Sequence, residues 1–184
     1  MSQPFHILKH EHRIIERVLR SLDGVCARLD RGTPVPASVL LEIVDFITNF
    51  ADHRHHGKEE QLLFPALERS GIPRQGGPLA VMEHEHQIER ELMADLRQSI
   101  DSYADGDAQA TRRFVEAGRA FLILLTGHIE KEDSILFRIG DEVLDEALKA
   151  KLVEEFKQLD SSLGGPSLKD YERKASELEE TWAL

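Results

Sequence analysis

The chain has 184 residues, of which 41% are hydrophobic and 31% charged, and a formal net charge of −11. That is one domain's length with an ordinary globular composition, which excludes wholesale disorder. The acidity counts against phosphate backbones and anionic lipid heads, so neither a nucleic acid nor a membrane is expected as a partner.

Glycine and proline divide the sequence into long blocks. In chain order the blocks run over about 5–30, 37–69, 79–104 and 108–139, followed by shorter ones at about 142–160 and 168–182. The four long blocks exceed strand length, and none shows period-2 alternation. Each carries apolar residues at helical spacing, such as Leu8, Ile15, Leu19, Leu22, Cys26 and Leu29 in the first. The chain is therefore read as all-α. Connections of a few residues favour antiparallel neighbours, hence an up-down-up-down four-helix bundle over residues 1–140. Residues 141–184 read as one or two extra C-terminal helices, packed on the bundle or on a partner chain. Gly140 is taken as the break between the two.

The apolar run Ala120–Leu125 is the longest and is far short of a membrane span. The opening MSQPFHILKHEHR has no apolar signal-peptide core. A single cysteine, Cys26, excludes an internal disulfide and a self-supplied four-cysteine cluster. A reducing, cytoplasmic setting is the expectation.

The nine histidines fall in four patches: His6, His10 and His12; His53, His55 and His56; His84 and His86; and His128. His12, His86 and His128 fill positions of the apolar stripes, so they face the core. The chain also repeats itself at half-length. His10-Glu11-His12 matches His84-Glu85-His86, and Lys58-Glu59-Glu60 matches Lys131-Glu132-Asp133, which sets His55 opposite His128. Histidine and glutamate at i and i+4 share one helical face. Folded antiparallel, the two halves bring together His12, His55, His86 and His128 with Glu59 and Glu132. Buried carboxylates are costly unless paired or metal-bound. Four imidazoles and two carboxylates suit a pair of ions bridged by the carboxylates, with iron, manganese or zinc matching the thiolate-free donors. Six protein ligands for two ions leave positions open for a small molecule.

On the second helix the pattern admits two registers. The repeat favours His55 with Glu59, whereas the upstream stripe Phe46, Phe50 and His53 continues better into His56 with Glu60; we take the first. His10, His53, His56 and His84 are then surface groups or hydrogen-bond partners of the ligands, one of them available as an extra ligand. Glu89 lies one turn beyond His86 and reads at least as well as a helix-end or interface carboxylate as a catalytic one. No catalytic residue is assigned.

The motifs LKHEHRIIERVL, HHGKEEQLLFPAL, VMEHEHQIERELM and HIEKEDSILF, spread over Phe5 to Phe137, resemble the hemerythrin-like HHE cation-binding domain family. The resemblance implies a non-haem di-iron centre, oxo- or hydroxo-bridged, in a four-helix bundle. It makes His12, His55, His86 and His128 terminal ligands and Glu59 and Glu132 bridging carboxylates. The chain departs from the oxygen-carrying members, which place a fifth histidine on the third helix where Arg90 stands here. The expected function is binding, sensing or turnover of a small oxidant: oxygen, nitric oxide or peroxide. Alternatives are an iron or zinc store or donor, or a di-iron enzyme reducing peroxide or nitric oxide. A monomer or a homodimer is expected.

Overall fold

Helix boundaries in the computed structural model, which describes residues 1–184, follow the punctuation of the sequence. Six helices form: α1 (Gln3–Asp30), α2 (37–69), α3 (Pro78–Ala104), α4 (108–143), α5 (Glu146–Leu163) and α6 (Leu168–Trp182). Local chemistry sets several ends. Pro78 opens α3, where its missing N–H has no helical partner to lose. Asp107 caps α4 by accepting from the Gln109 amide at 2.8 Å, and Asp145 caps α5 through Leu148 at 2.8 Å. Ser167 and Asp170 form a reciprocal capping box at the start of α6.

The first four helices make the bundle, each antiparallel to the next. Asp45 meets Arg97 while Glu60 meets Arg90, so α2 and α3 run in opposite directions. Phe5 packs on Phe137 and Cys26 on Gly118, which sets α1 antiparallel to α4. No helix is long and apolar enough to cross a membrane.

The core is split in two. One cluster gathers Ile15, Leu22, Phe50, Leu96, Phe114 and Phe121 with their neighbours. A second, smaller one gathers Phe5, Leu8, Phe64, Leu67, Phe137 and Phe156. Between them, at positions 12, 55–59, 86–89 and 128–132, lies a layer of buried histidine and glutamate. Apolar walls above and below exclude water from that layer and lower its dielectric.

Gly140 does not break the chain; α4 continues through it to Val143. Its role is steric. A β-carbon there would lie 2.7 Å from the Phe5 ring, so only glycine lets Phe5 seal the smaller cluster. The C-terminal helices α5 and α6 pack on the bundle within the same chain. Phe156 joins the smaller cluster and Tyr171, Ala175 and Leu178 join the larger. Arg54, nearly buried, donates to the carbonyls of Gly164 and Pro166 at 3.3 and 3.2 Å and lies over the Tyr171 ring. One buried guanidinium thus ties the α5–α6 turn to α2.

Candidate metal centre

All six residues expected from the sequence meet in the polar layer. His12, Glu59, His86, His128 and Glu132 have no measurable exposure and His55 has 1%. They divide into two groups, within each of which one donor atom per residue lies within 4.8 Å of the others. The first group is His12, His55, Glu59 and Glu132. The second is His56, Glu59, His86 and His128. Glu59 belongs to both. His12 Nε2 is 3.2 Å from Glu132 Oε2, and His55 Nε2 is 3.4 Å from Glu59 Oε1. On the other side, His86 Nε2 is 3.6 Å from Glu59 Oε2 and His128 Nε2 is 3.4 Å from Glu132 Oε2. Glu132 therefore also touches a histidine of each group.

His56 is the one of the four further histidines, left in the sequence reading as surface groups, hydrogen-bond partners or an extra ligand, that reaches the layer. It is 3% exposed and its ring stacks on His86 with centroids 3.9 Å apart. The cause is local: α2 widens into π-helical turns over Ile47–His56 and again over Glu59–Leu63. A wider turn advances less per residue, so the neighbours His55 and His56 both fall on the inner face. Both sequence registers are thereby partly satisfied. Such widenings concentrate at functional sites. The repeat reproduces the second of them at Glu132–Leu136 in α4. A fifth histidine thus reaches the layer from α2, while Arg90 on α3 points to Asp52 and Glu60. Of the remaining histidines, His6, His10, His53 and His84 are exposed.

The outer nitrogens explain the rest of the repeat. His55 Nδ1 pairs with Glu11 and His128 Nδ1 with Glu85, both at 2.9 Å. His12 Nδ1 pairs with Asp133 at 2.9 Å and His86 Nδ1 with Glu60 at 2.7 Å. The central glutamate of each His-Glu-His supports the histidine of the neighbouring helix. The second acid of Lys-Glu-Glu and Lys-Glu-Asp supports the histidine of the next helix round the bundle, in the other half. The lysines complete the set: Lys58 holds Glu11 and Lys131 holds Glu85. Phe137 lies parallel to His12 and Phe64 to His86, so the rings are also clamped in the same way in both halves. Sequence reasoning missed these supporting residues, although their recurrence in both halves was the signal. Histidines that bind metals are held by such carboxylates, which fix the ring and aim Nε2.

What Nε2 faces is the test of fit. His12, His55 and His56 Nε2 and both oxygens of Glu59 and Glu132 are buried with no hydrogen-bond partner. His86 Nε2 and His128 Nε2 face each other at 3.1 Å. Unsatisfied buried polar atoms are rare, because each loses its water without compensation. A cluster of lone pairs converging from four helices matches bound cations. The nitrogen and oxygen donors suit iron, manganese or zinc. Cys26 lies in the larger apolar cluster, its thiol pushed up to about 12 by burial, and is no part of the site.

Charge in the metal-free layer is shared. Burial and the neighbouring Glu132 push Glu59 well above the usual carboxylate range. Burial acts on Glu132 in the same direction, but His128 and His12 outweigh it and hold Glu132 well below that range. Burial opposes charge on His128, yet Glu132 raises it to about 10. Burial keeps His55 and His56 well below the ordinary imidazole range, hence neutral and ready to ligate.

Glu89 is a second correction. It is neither at a helix end nor at an interface: it is 3% exposed, both its oxygens lack partners, and it sits 3.6 Å from His56 Nε2. Burial raises it to about 8. In the metal-free protein the folded state therefore keeps this proton where the unfolded chain has lost it. Stability contributed by the group falls as pH rises from about 4.5 through 8. Glu89→Gln is expected to stabilise the metal-free protein by a few kcal/mol at pH 8.5 and far less at pH 5, at about 1.4 kcal/mol per pKa unit. Urea unfolding at the two pH values reads this, and equal stability of the two proteins at pH 8.5 would refute it.

The C-terminal helices reach the site through Lys58. This residue has no exposure, and Nζ also contacts Asp160 of α5 at 2.8 Å. The chain Asp160–Lys58–Glu11–His55 connects α5 to a histidine of the first group. Lys58→Met keeps the volume and removes the charge. It should weaken the first group's ion about 10–100-fold and leave the second nearly intact, as loss of such supports does elsewhere. Competition against a chelator would show two unequal affinities, and unchanged retention of both would contradict the connection.

The hemerythrin HHE cation-binding domain matches residues 3–139. The chain belongs to that family. Relatives of the hemerythrin-like chain include an uncharacterized protein of Mycobacterium tuberculosis, 26% identical over 149 residues, which are 81% of this chain and 58% of the relative. Iron-sulfur cluster repair protein YtfE of Edwardsiella ictaluri is 38% identical over 91 residues, 47% of this chain and 41% of its own. The same-named protein of an Enterobacter species is 29% identical over 133 residues, covering 70% and 58%. The chain thus spans less than two thirds of these relatives. No solved structure matches it.

Proposed function

We propose that this hemerythrin-like chain holds two iron ions and binds, senses or reacts with a small oxidant: oxygen, nitric oxide or peroxide. His12 and His55 would hold one ion and His56, His86 and His128 the other, with Glu59 common to both donor groups and Glu132 beside His12 and His128. The observation that carries this is the convergence of buried donor atoms that lack any other partner. An iron pair supplies one-electron steps at two centres, which is the chemistry that small oxidants require.

The chain's own residues do the rest. Glu11, Glu60, Glu85 and Asp133 hold the imidazoles in one orientation. The two apolar clusters keep bulk water out. The histidines are more numerous in the group of His56, so the two groups differ in surroundings. Glu89 there can hold or release a proton at its Oε2, beside His56.

Loading with ferrous iron without air, followed by oxygen, nitric oxide or peroxide, tests the reading by absorption spectroscopy. New near-ultraviolet and visible bands after addition are expected. Iron that stays spectrally unchanged toward all three would leave storage or donation as the function. Similarity to proteins named for iron-sulfur cluster repair favours a second reading, in which the same iron serves that repair. Reactivation of an oxidised iron-sulfur protein by the loaded chain would select it.

A further inference from the structure

The two halves of the centre agree at every supporting position and differ at three others. Where one half has Glu89, His56 and Asp52, the repeat places Ile15, Ile129 and Leu125. Those three apolar residues are buried, at 1–3% exposure, and close their side with hydrocarbon. The polar trio lies instead at the end of a cleft between α2 and α3, about 460 Å³ in volume. Val44, Ile47, Ala51, Met93 and Phe121 form its apolar walls. His56 and Glu89 form its polar end, and an Arg97–Asp45 ion pair stands at the rim.

Size decides the class of occupant. One water takes about 30 Å³ of liquid, and a diatomic molecule is of similar bulk. The cleft is more than ten times larger and falls within the range of small organic ligand sites, about 300–1,000 Å³. Its other polar residues are already paired: Thr48 and Asn49 donate to backbone carbonyls, Arg90 to Asp52 and Arg97 to Asp45, which leaves Glu89, 3% exposed and with two unpartnered oxygens, and the neighbouring His56 Nε2 as the buried polar groups without a partner. A molecule that fits has an apolar body and a single protic head.

We propose that this cleft binds a small organic hydroperoxide or the alcohol of the same skeleton, with the O–H head on Glu89 and beside His56. The assignment deepens the oxidant reading and rests on it for the identity of the head. The apolar walls bind the body whether or not metal is present.

The chain offers its own probe, because Met1, Met82 and Met93 are its three methionines and Met93 alone lines the cleft. Methyl-labelled methionine in the zinc-loaded protein, titrated with 2-phenylpropan-2-ol, should show a saturable shift of the Met93 methyl with Met1 and Met82 still. Isopropylbenzene, which lacks the hydroxyl, should bind at least tenfold more weakly. Glu89→Leu should remove that preference, since an unmet polar group is what discriminates the two. Ala94 is exposed at the rim, and Ala94→Trp should abolish the Met93 response while leaving zinc content and melting temperature unchanged.

A silent Met93, equal shifts at all three methyls, or binding that survives Ala94→Trp would overturn the proposal. So would an alcohol preference that persists in Glu89→Leu. Zinc content of the same samples separates the two readings. Zinc retained with no Met93 response defeats the cleft alone, whereas a Met93 response in protein that holds no zinc defeats the metal reading alone.

Discussion

Glu59→Ala is expected to abolish binding of both proposed metal ions. Glu59 is the one residue shared by the two donor groups, and its two oxygens face His55 on one side and His86 on the other. Removing it takes a ligand from each ion at once. His12→Ala removes a donor from the first group only, and His86→Ala from the second only, so each should leave one ion bound. His84→Ala, on the exposed face of the same helix as His86, should retain both. Metal analysis after gel filtration gives the order. Loss of one ion from Glu59→Ala, or of any from His84→Ala, would contradict the assignment. Melting should separate this from simple damage to the fold. The metal-free form of Glu59→Ala loses a buried carboxyl group that is costly to keep without a partner, so it should match or exceed metal-free wild type in stability.

Chelation is expected to lower the melting temperature of the wild-type chain by roughly 10 °C. Ions bound a thousandfold tighter than their free concentration contribute about 4 kcal/mol. A chain of this length converts each kcal/mol into about 2–4 °C. The loss has a second source in the apo layer itself. Glu59, Glu132 and five imidazoles are then enclosed between two apolar clusters with only protons to balance them. Because proton binding by Glu59, His128 and His12 is strengthened without metal, loading should release at least about two protons per chain at neutral pH. Titration with metal in a weakly buffered indicator solution measures this. A melting temperature indifferent to chelation, or loading without proton release, would place the metals elsewhere.

The bundle was legible because its signals are periodic. Long apolar stripes at helical spacing, bounded by glycine and proline, specify helices whatever surrounds them. The family match over residues 3–139 and the all-helical fold agree with that reading. The six expected donors stood out for a related reason: a polar residue in an apolar stripe is exceptional, and here it recurred in both halves. Gly140 misled because glycine ends helices and also admits close packing, and sequence alone does not tell which. The sequence leaves the places of His56 and Glu89 open for a different cause. A uniform helical period cannot place His55 and His56 on one inner face, and the π-helical widening that does so leaves no compositional mark. Glu89 belongs to the part of the site that breaks the repeat, so the symmetry that assigned its neighbours gives it no role. Lys58 and Glu11 were visible as conspicuous members of the repeat, but their burial follows from packing against α5, which no local pattern announces.

Anomalous diffraction from iron-loaded crystals, recorded at the iron edge, tests the central claim most directly. Two peaks are predicted in the layer between the apolar clusters. One should lie among His12, His55, Glu59 and Glu132, the other among His56, Glu59, His86 and His128. A single peak, or peaks only at exposed histidines such as His10 or His84, would contradict a two-metal centre.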